Sequence, residues 1–191
     1  MSPLDSGFHD TTLRIAVERR RSHPRVGADA PDRAALIPLV AAAATVADHG
    51  ALSPWRLIEL RGAARERLGA ALVEAAGIQG TDAARLAAKP IRAPLLIALV
   101  AIHQPSEKIP EWEQTASAAG VAHVLSLLLH DAGWGVMWRT GAQVRSVAVR
   151  RAHHLADNEQ LLGWLYVGGR IDVERPDKRM PPDGGRFLSE L

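Results

Sequence analysis

The chain contains no cysteine, and most of its few aromatic residues are tryptophans. The lack of cysteine excludes disulfides, thiolate nucleophiles and cysteine-ligated metals. One tyrosine and two phenylalanines leave no motif of the kind that stacks nucleic-acid bases. The formal net charge of +2 is too small to predict a nucleic-acid partner by itself.

Long apolar runs and a secretory signal are missing as well. His123, His130 and Asp131 interrupt the longest hydrophobic segment, which therefore does not fit a membrane span. The first ten residues include Asp5 and Asp10 and lack the pattern of a signal peptide. We therefore expect a soluble protein of the cytoplasm with no membrane partner.

Motifs for metal binding and for nucleophilic catalysis are also missing. There is no HExxH sequence, and no glutamate is followed three residues later by histidine. No serine lies in a G-x-S-x-G turn, and Gly133-x-Gly135 lacks the third glycine of a dinucleotide fingerprint. We expect no bound metal, and neither a serine hydrolase nor a Rossmann-type enzyme.

The most prominent stretch that is present runs from Glu111 to Gly141. Residues 111–132 are apolar on nearly every face, which is typical of a buried helix. A short strand follows and ends in the polar tip Trp138-Arg139-Thr140-Gly141. We interpret the helix as a scaffold that presents this tip.

The rest of the chain alternates less regularly between helical and extended patterns. Strands are predicted at 55–60, 94–102 and 161–169, and helices at 12–21, 34–47, 62–76, 82–88 and 144–154. This order indicates an α+β fold, with a mainly antiparallel sheet of short strands covered by helices. We expect a loose lead-in over 1–10, one domain over 11–170, and a tail over 171–191 that wraps a partner subunit.

The basic run Arg19-Arg20-Arg21-Ser22 closes the first predicted helix. Arginine forks suit phosphate, and a charged hydrogen bond contributes about 1.5–3 kcal/mol. A phosphorylated small cofactor fits this run at least as well as nucleic acid, and a solvated surface remains the alternative. A nucleic-acid reading would instead use Arg145, Arg150 and Arg151 of the predicted basic helix at 144–154.

Five motifs follow one another along the chain. They are Arg20-Arg21-Ser22, Asp48-His49 with Pro54-Trp55, Ala93-Pro94 followed by Ile109-Pro110-Glu111-Trp112-Glu113-Gln114, Gly135 to Gly141, and Leu162 to Gly168. In this order they resemble the nitroreductase family of flavoenzymes, in particular its compact YdjA-like subgroup. The resemblance spans about residues 13–169.

The resemblance implies an intertwined homodimer that binds FMN at two sites in the subunit interface. By the same resemblance Arg20, Arg21 and Ser22 grip the FMN phosphate and ribityl chain, while His49 and Ser53 reach the flavin of the partner subunit. The remaining residues implied are the tip, which lies against the cofactor (Trp138, Arg139, Thr140, Gly141), and an NAD(P)H segment (Leu128, Leu129, His130, Asp131, Ala132, Gly133). A basic tail around Lys178-Arg179-Met180-Pro181 is a further candidate phosphate contact.

The activity implied is an FMN-dependent NAD(P)H oxidoreductase with ping-pong hydride transfer. NADH or NADPH delivers hydride to flavin N5 and leaves, and a nitroaromatic or quinone-like acceptor then takes its place. This scheme needs no protein nucleophile, and Arg139 is the candidate for electrostatic support of the reduced flavin. Ala47 and Ser53 depart from the family's proline and its asparagine or glutamine, which keeps open a non-catalytic flavin-binding dimer of the same fold.

Overall fold

The computed structural model describes residues 12–171 and 182–191. Within them, four strands form one sheet in the order β1-β2-β4-β3, and every neighbouring pair is antiparallel. The strands are β1 (Trp55–Leu60), β2 (Leu95–Ile102), β3 (Trp134–Arg139) and β4 (Glu159–Gly169). The sheet confirms the predicted α+β class, with β1 and β3 as its two edges.

Helices cover both faces of the sheet. They are α1 (Thr12–Arg19), α2 (Arg33–Ala43), α3 (Ala63–Ala76), α4 (Gly80–Ala87), α5 (Glu111–Asp131) and α6 (Val147–Ala152). One core lies between the sheet and α2 with α5, and the other lies between the sheet and α3 with α6. We call these the α5 face and the α3 face of the sheet.

The two central strands are apolar because both of their faces are covered. Within β2, seven of the eight residues from Leu95 to Ile102 are buried, as its continuous apolar run predicted. The β4 strand pairs with β2 and contains a bulge, where the register shifts between Leu99 and Val100. Gly163 lies at this bulge with φ 129°, and a side chain there would meet the backbone oxygen of Arg139 at 2.5 Å.

The long helix and the strand after it are confirmed. The α5 helix ends one residue before the predicted limit, and Gly133 follows it with φ 88°, a conformation that favours glycine. Along α5, the side chains of Val121, Leu125 and Leu129 are fully buried against the sheet. Its apolar character over most of its length is therefore largely explained by its place in the core.

Three predicted helices are shorter than expected, and one of them, predicted over 12–21, ends at Arg19. The single helix predicted over 144–154 is wrong, because a 3₁₀ turn (Ala142–Arg145) and α6 replace it. Ser146 separates them in an extended conformation, and its hydroxyl caps α6 by accepting from the Val149 amide. The helix predicted over 34–47 ends at Ala43.

Some expectations fall outside the described residues. The lead-in over 1–10 and the possible phosphate contact at Lys178-Arg179-Met180-Pro181 lie there. In the parts of the chain that the structure describes, no helix has both the length and the hydropathy needed to cross a membrane.

Candidate functional site

The segment that follows α1 crosses the α3 face of the sheet over two glycines. It is fixed by backbone hydrogen bonds from His23 to Val136 at 2.9 Å and from Gly27 to Gly169 at 2.8 Å. A side chain on Gly168 would stand 2.7 Å from the Gly27 oxygen. Residues 23–27 can therefore lie directly on the sheet only because this strand position has no side chain.

Gly135 on the neighbouring strand β3 serves the same purpose. A Cβ atom there would lie 2.9 Å from Val26 Cγ1 and 3.4 Å from His23 Cβ. Together the two glycines hold the crossing segment against the end of the sheet. As a consequence, the Arg20-Arg21-Ser22 segment lies beside the β3 edge.

Arg139 links this segment to the tip of β3. Its Nη2 donates to the Pro24 carbonyl at 3.0 Å, and its guanidinium carbon lies 5.2 Å from the centre of the Tyr166 ring. Its Nε atom is buried and has no hydrogen-bond partner among the described residues. Burial raises the pKa of Tyr166 even though Arg139 and Arg92 oppose that shift. Arg139 thus brings together two of the sequence motifs.

Trp138 is held by the bulge in β4. Its indole nitrogen donates to the Leu162 carbonyl at 3.3 Å, and its ring makes an edge contact with His123 of α5 at 5.1 Å. The indole is therefore anchored to the neighbouring strand and to the helix of the α5 face. Thr140 and Gly141, which follow β3, are exposed.

A cavity of about 330 Å³ opens at this tip, on the α3 face. Its volume is at the lower end of what small-molecule and cofactor sites have. Three of its lining side chains, Lys89, Arg92 and Arg139, carry positive charge, and no acidic residue of the described chain lines it. The other lining residues are Leu72, Leu86, Met137, Trp138, Thr140, Gly141, Gln143, Val144, Trp164 and Tyr166. The arrangement suits a planar, partly apolar ligand with an anionic or electron-rich edge.

Lys89 and Arg92 are candidate site residues that the sequence did not indicate. They flank the short 3₁₀ turn Pro90–Arg92, which leads into β2, and both side chains are exposed. Their only signal in the sequence was their position just before the Ala93-Pro94 motif. Isolated cations in a loop are usually solvated, so nothing separated these two from the others.

The Arg20-Arg21-Ser22 segment is only partly exposed to solvent. Arg20 and Arg21 are half-buried and Ser22 is exposed. The Arg21 guanidinium donates to the carbonyls of Glu18 and Arg20, at the end of its own helix. This donation satisfies carbonyls at the C-terminus of α1.

Two histidines stack beside this segment. The rings of His23 and His130 lie 5.4 Å apart, and the Nδ1 atom of His130 is buried without a described partner. Burial lowers the pKa of both histidines, and the nearby cations Arg170 and Arg20 lower it further. The β3 edge is therefore rich in positive charge and in unpaired donors or acceptors.

The predicted NAD(P)H segment lies at the end of α5, away from the cavity. Within it, Leu129 and His130 are buried, Leu128 is half-buried, and residues 131–133 are exposed. None of these residues is among those that line the cavity. The structure therefore does not bring this segment to the tip within one subunit.

The loop that carries His49 and Ser53 lies at the other edge of the sheet. It precedes β1, whereas the tip follows β3, and the order β1-β2-β4-β3 puts three strand spacings between them. That separation is roughly 14 Å across the sheet. A single subunit therefore does not bring His49 and Ser53 to its own tip.

The cations of the alternative nucleic-acid site are largely engaged. Arg150 donates to the carbonyls of Glu159 at 2.7 Å and Ala156 at 2.9 Å. Arg151 donates to both carboxylate oxygens of Glu74, at 2.9 and 2.7 Å. These contacts fix the end of α6 to its surroundings, whereas Arg145 is exposed and Arg151 keeps 66% of its side chain exposed.

Known proteins share the sequence pattern of this chain. The nitroreductase family matches residues 17–169. The Escherichia coli (strain K12) protein named "Putative NAD(P)H nitroreductase YdjA" is 34% identical over 154 residues, which cover 78% of this chain and 83% of that protein.

Solved structures show the same fold. A nitroreductase-like family protein from Bacillus cereus superposes with a TM-score of 0.80 at 19% identity, covering 97% of this chain and 99% of that one. A nitroreductase with bound FMN from Bacteroides fragilis superposes with a TM-score of 0.75 at 13% identity, covering 95% and 99%.

Proposed function

Because the chain belongs to the nitroreductase family, we propose that it is an FMN-dependent NAD(P)H oxidoreductase that works as a homodimer. The observation that carries the proposal is the cationic cavity at the tip of β3. Lys89, Arg92 and Arg139 line it, and Arg139 joins it to the Arg20-Arg21-Ser22 segment. Positive charge and a connected arginine segment are what a phosphorylated, electron-accepting cofactor requires.

The residues present fit FMN in two respects. The buried Nε of Arg139 has no described partner, and a buried donor without a partner is costly unless a ligand uses it. Tyr166, Trp164 and Met137 give the cavity an apolar and aromatic lining on which a planar ring system could lie.

We assign the cofactor contacts as follows. Arg20, Arg21 and Ser22 bind the phosphate and the ribityl chain, for which Arg21 would have to exchange its bonds to Glu18 and Arg20 for bonds to phosphate. Trp138, Arg139, Thr140 and Gly141 contact the ring system, and Lys89 with Arg92 adds positive charge beside it. With FMN held by these residues, the site would support hydride transfer from a nicotinamide to an acceptor. Arg139, with Lys89 and Arg92, would stabilise the negative charge that reduction places on the ring.

The second subunit supplies the rest of the site. His49 and Ser53 lie at the opposite sheet edge from their own tip, and we therefore assign them to the flavin of a partner subunit's site. The subunit also exposes apolar side chains that a partner would cover. They include Leu13 and Val17 of α1, Ile37 of α2, Trp112 of α5, and Phe187 and Leu188 near the C-terminus. No residue of α1 is fully buried, so a partner subunit would add to the packing of this helix.

An absorption spectrum of the purified protein with added FMN tests the proposal. We expect a bound flavin spectrum, a dimer by light scattering, and oxidation of NADPH or NADH when a quinone or nitroaromatic acceptor is present. A colourless protein that takes up no FMN would end the proposal. Tight FMN binding without any turnover of nicotinamide would instead support the alternative, a flavin-binding dimer without activity.

A pair of variants tests the phosphate assignment. Arg20→Ala should weaken FMN binding by about 1.5–3 kcal/mol through loss of a charged hydrogen bond. Arg67→Ala is the matched control, because Arg67 is an exposed arginine of α3 that does not line the cavity. Equal FMN affinity for the two variants would remove the phosphate from this segment.

A further inference from the structure

The loop before β1 holds a strained conformation. Within residues 48–53, Ala51 and Ser53 have φ values of 52° and 46°, and Gly50 has φ 74°. Left-handed conformations are unfavourable for residues other than glycine, and they persist only where the surroundings impose them. The contacts of this loop therefore indicate what the conformation is for.

One set of contacts lies inside the loop. The Asp48 carboxylate accepts from the Ser53 amide at 2.6 Å, and the Asp48 carbonyl accepts from the Ala51 amide at 3.2 Å. These bonds close the loop on itself. They explain how the strained residues are held, but they do not determine where the His49 side chain points.

A second set of contacts comes from the connector before α5. Gln104 donates from Nε2 to the Leu52 carbonyl at 2.8 Å. Gln114 in turn accepts from the Gln104 amide at 2.8 Å, and its own Nε2 donates to the carbonyls of Gln104 and Ile109. The side chain of Gln114 is 1% exposed, so this brace is part of the core.

The third contact reaches His49 itself. Glu113, in the first turn of α5, places Oε2 2.7 Å from His49 Nδ1. The carboxylate can only accept, so Nδ1 carries the proton and Nε2 is the ring nitrogen left for a ligand. His49 keeps 45% of its side chain exposed, and a ligand can therefore reach it.

We propose that Glu113 is a positioning residue that orients His49 so that its Nε2 faces the flavin site of the partner subunit. Glu113 and Gln114 are adjacent in the Trp112-Glu113-Gln114 sequence, and each braces the same loop. This gives a role to a sequence motif that the cofactor contacts alone leave unexplained. The inference rests on the proposed function, since it requires FMN in the partner's site.

The test compares three variants of the full-length dimer. Glu113→Ala removes the acceptor, Glu113→Gln keeps an acceptor oxygen without its charge, and Glu111→Gln removes a charge from the same helical turn. Glu111 is 76% exposed, and its one described side-chain contact is a 3.7 Å approach to His103. It is therefore a matched control that does not touch His49.

Two measurements are made on each protein. Flavin fluorescence gives the FMN dissociation constant, for which we expect an increase on the order of tenfold in Glu113→Ala, a smaller one in Glu113→Gln and none in Glu111→Gln. Histidine ¹⁵N NMR of the flavin-free protein shows which ring nitrogen of His49 carries the proton. We expect the proton on Nδ1 in the wild type and in Glu111→Gln, and a mixture of the two tautomers in Glu113→Ala, since only Glu113 supplies the acceptor at Nδ1.

The outcomes separate this inference from the proposed function. If the wild-type protein binds no FMN, both fail, while the NMR spectra still report whether Glu113 holds the ring. If the wild-type protein binds FMN and Glu113→Ala binds it equally well, this inference alone is wrong. It is also wrong if Glu111→Gln and Glu113→Ala change the His49 tautomer equally, because the effect would then be general to the helix terminus.

Discussion

The two edges of the sheet differ in how they prepare a ligand site. At the β3 edge, cations line an open cavity, and Arg139 Nε and His130 Nδ1 are buried without described partners. At the β1 edge, the 48–53 loop is strained, but its polar groups have partners. The Ser53 amide donates to Asp48 and the Leu52 carbonyl accepts from Gln104. The His49 ring is bonded to Glu113. The first edge is built to gain contacts from a ligand, and the second is already fixed in shape before any ligand arrives.

In the proposed dimer, this difference would divide the work of binding between the two edges. An edge with unpaired donors supplies affinity, because a ligand relieves the cost of burying them. An edge with a fixed loop supplies geometry, because little conformational entropy is lost when a ligand binds to it. The predictions below test each edge separately.

The largest loss of stability is expected at Gly168, where the backbone of the crossing segment at residues 23–27 packs directly on the sheet. Gly168→Ala would place a methyl group 2.7 Å from the Gly27 carbonyl oxygen, and backbone cannot move aside as a side chain can. We expect a loss of about 3 kcal/mol in the free energy of unfolding, measured by chemical denaturation, together with weakened FMN binding.

The neighbouring residue provides the control for that change. A Cβ atom on Gly169 would find its nearest atoms at 3.9 Å, which is ordinary contact. Gly169→Ala should therefore change stability by less than about 0.5 kcal/mol. Similar losses for the two variants would mean that the crossing segment is not what constrains this strand.

A smaller effect is expected for the guanidinium that links the tip to the crossing segment. Arg139→Lys keeps the positive charge but loses the fork that donates to Pro24 and stacks over Tyr166. FMN affinity should fall by about 1.5 kcal/mol, roughly tenfold, in fluorescence titrations. Arg145→Lys, at an exposed arginine, is the control and should bind as the wild type does. If Arg139→Lys also binds as the wild type does, charge alone suffices at this position.

The histidines at the β3 edge predict a pH dependence of stability. Burial, followed by Arg170, lowers the pKa of His130 below its usual 6.5. The unfolded chain then binds protons more readily below pH 6.5, so stability is complete above that pH and is lost as the pH falls toward the folded pKa. His23 shifts in the same direction and adds to the loss.

Denaturation curves at pH 7.5 and pH 5.5 measure this loss. The wild-type protein should lose stability on acidification, and His130→Gln should lose less because one of the shifted groups is gone. Equal losses for His130→Gln and the wild type would show that His130 does not titrate with folding.

A structural feature of this molecule can be predicted from the sequence when residues close to it in the chain determine it. The β2 strand and α5 were predictable because their apolar runs are long and need only the nearest core to explain them. The break at Ser146 was missed because one capping hydroxyl outweighs the helical pattern on either side.

The candidate site was only half predictable for the same reason. Arg139 and the Arg20-Arg21-Ser22 segment stand out as motifs, and the structure joins the two through the Pro24 carbonyl. Lys89 and Arg92 join the cavity only through the packing of three distant segments. The position of the 48–53 loop at the β1 edge depends on the order of the strands in the sheet, and no local sequence pattern determines that order.

The smallest effect is expected in the strained loop at the β1 edge. Ala51→Gly removes the cost of a left-handed alanine at φ 52°, although glycine adds entropy to the unfolded chain. We expect a net gain of about 0.5 kcal/mol in the free energy of unfolding. Ala156→Gly, at an exposed position without positive φ, should instead lose about 0.5–1 kcal/mol.

If the loop is a fixed template for the partner's flavin, Ala51→Gly should also weaken FMN binding about two- to threefold while it stabilises the fold, because a looser loop loses more entropy on binding. A variant that gains stability and keeps its full FMN affinity would show that the strain at Ala51 serves the packing of the loop and not the ligand.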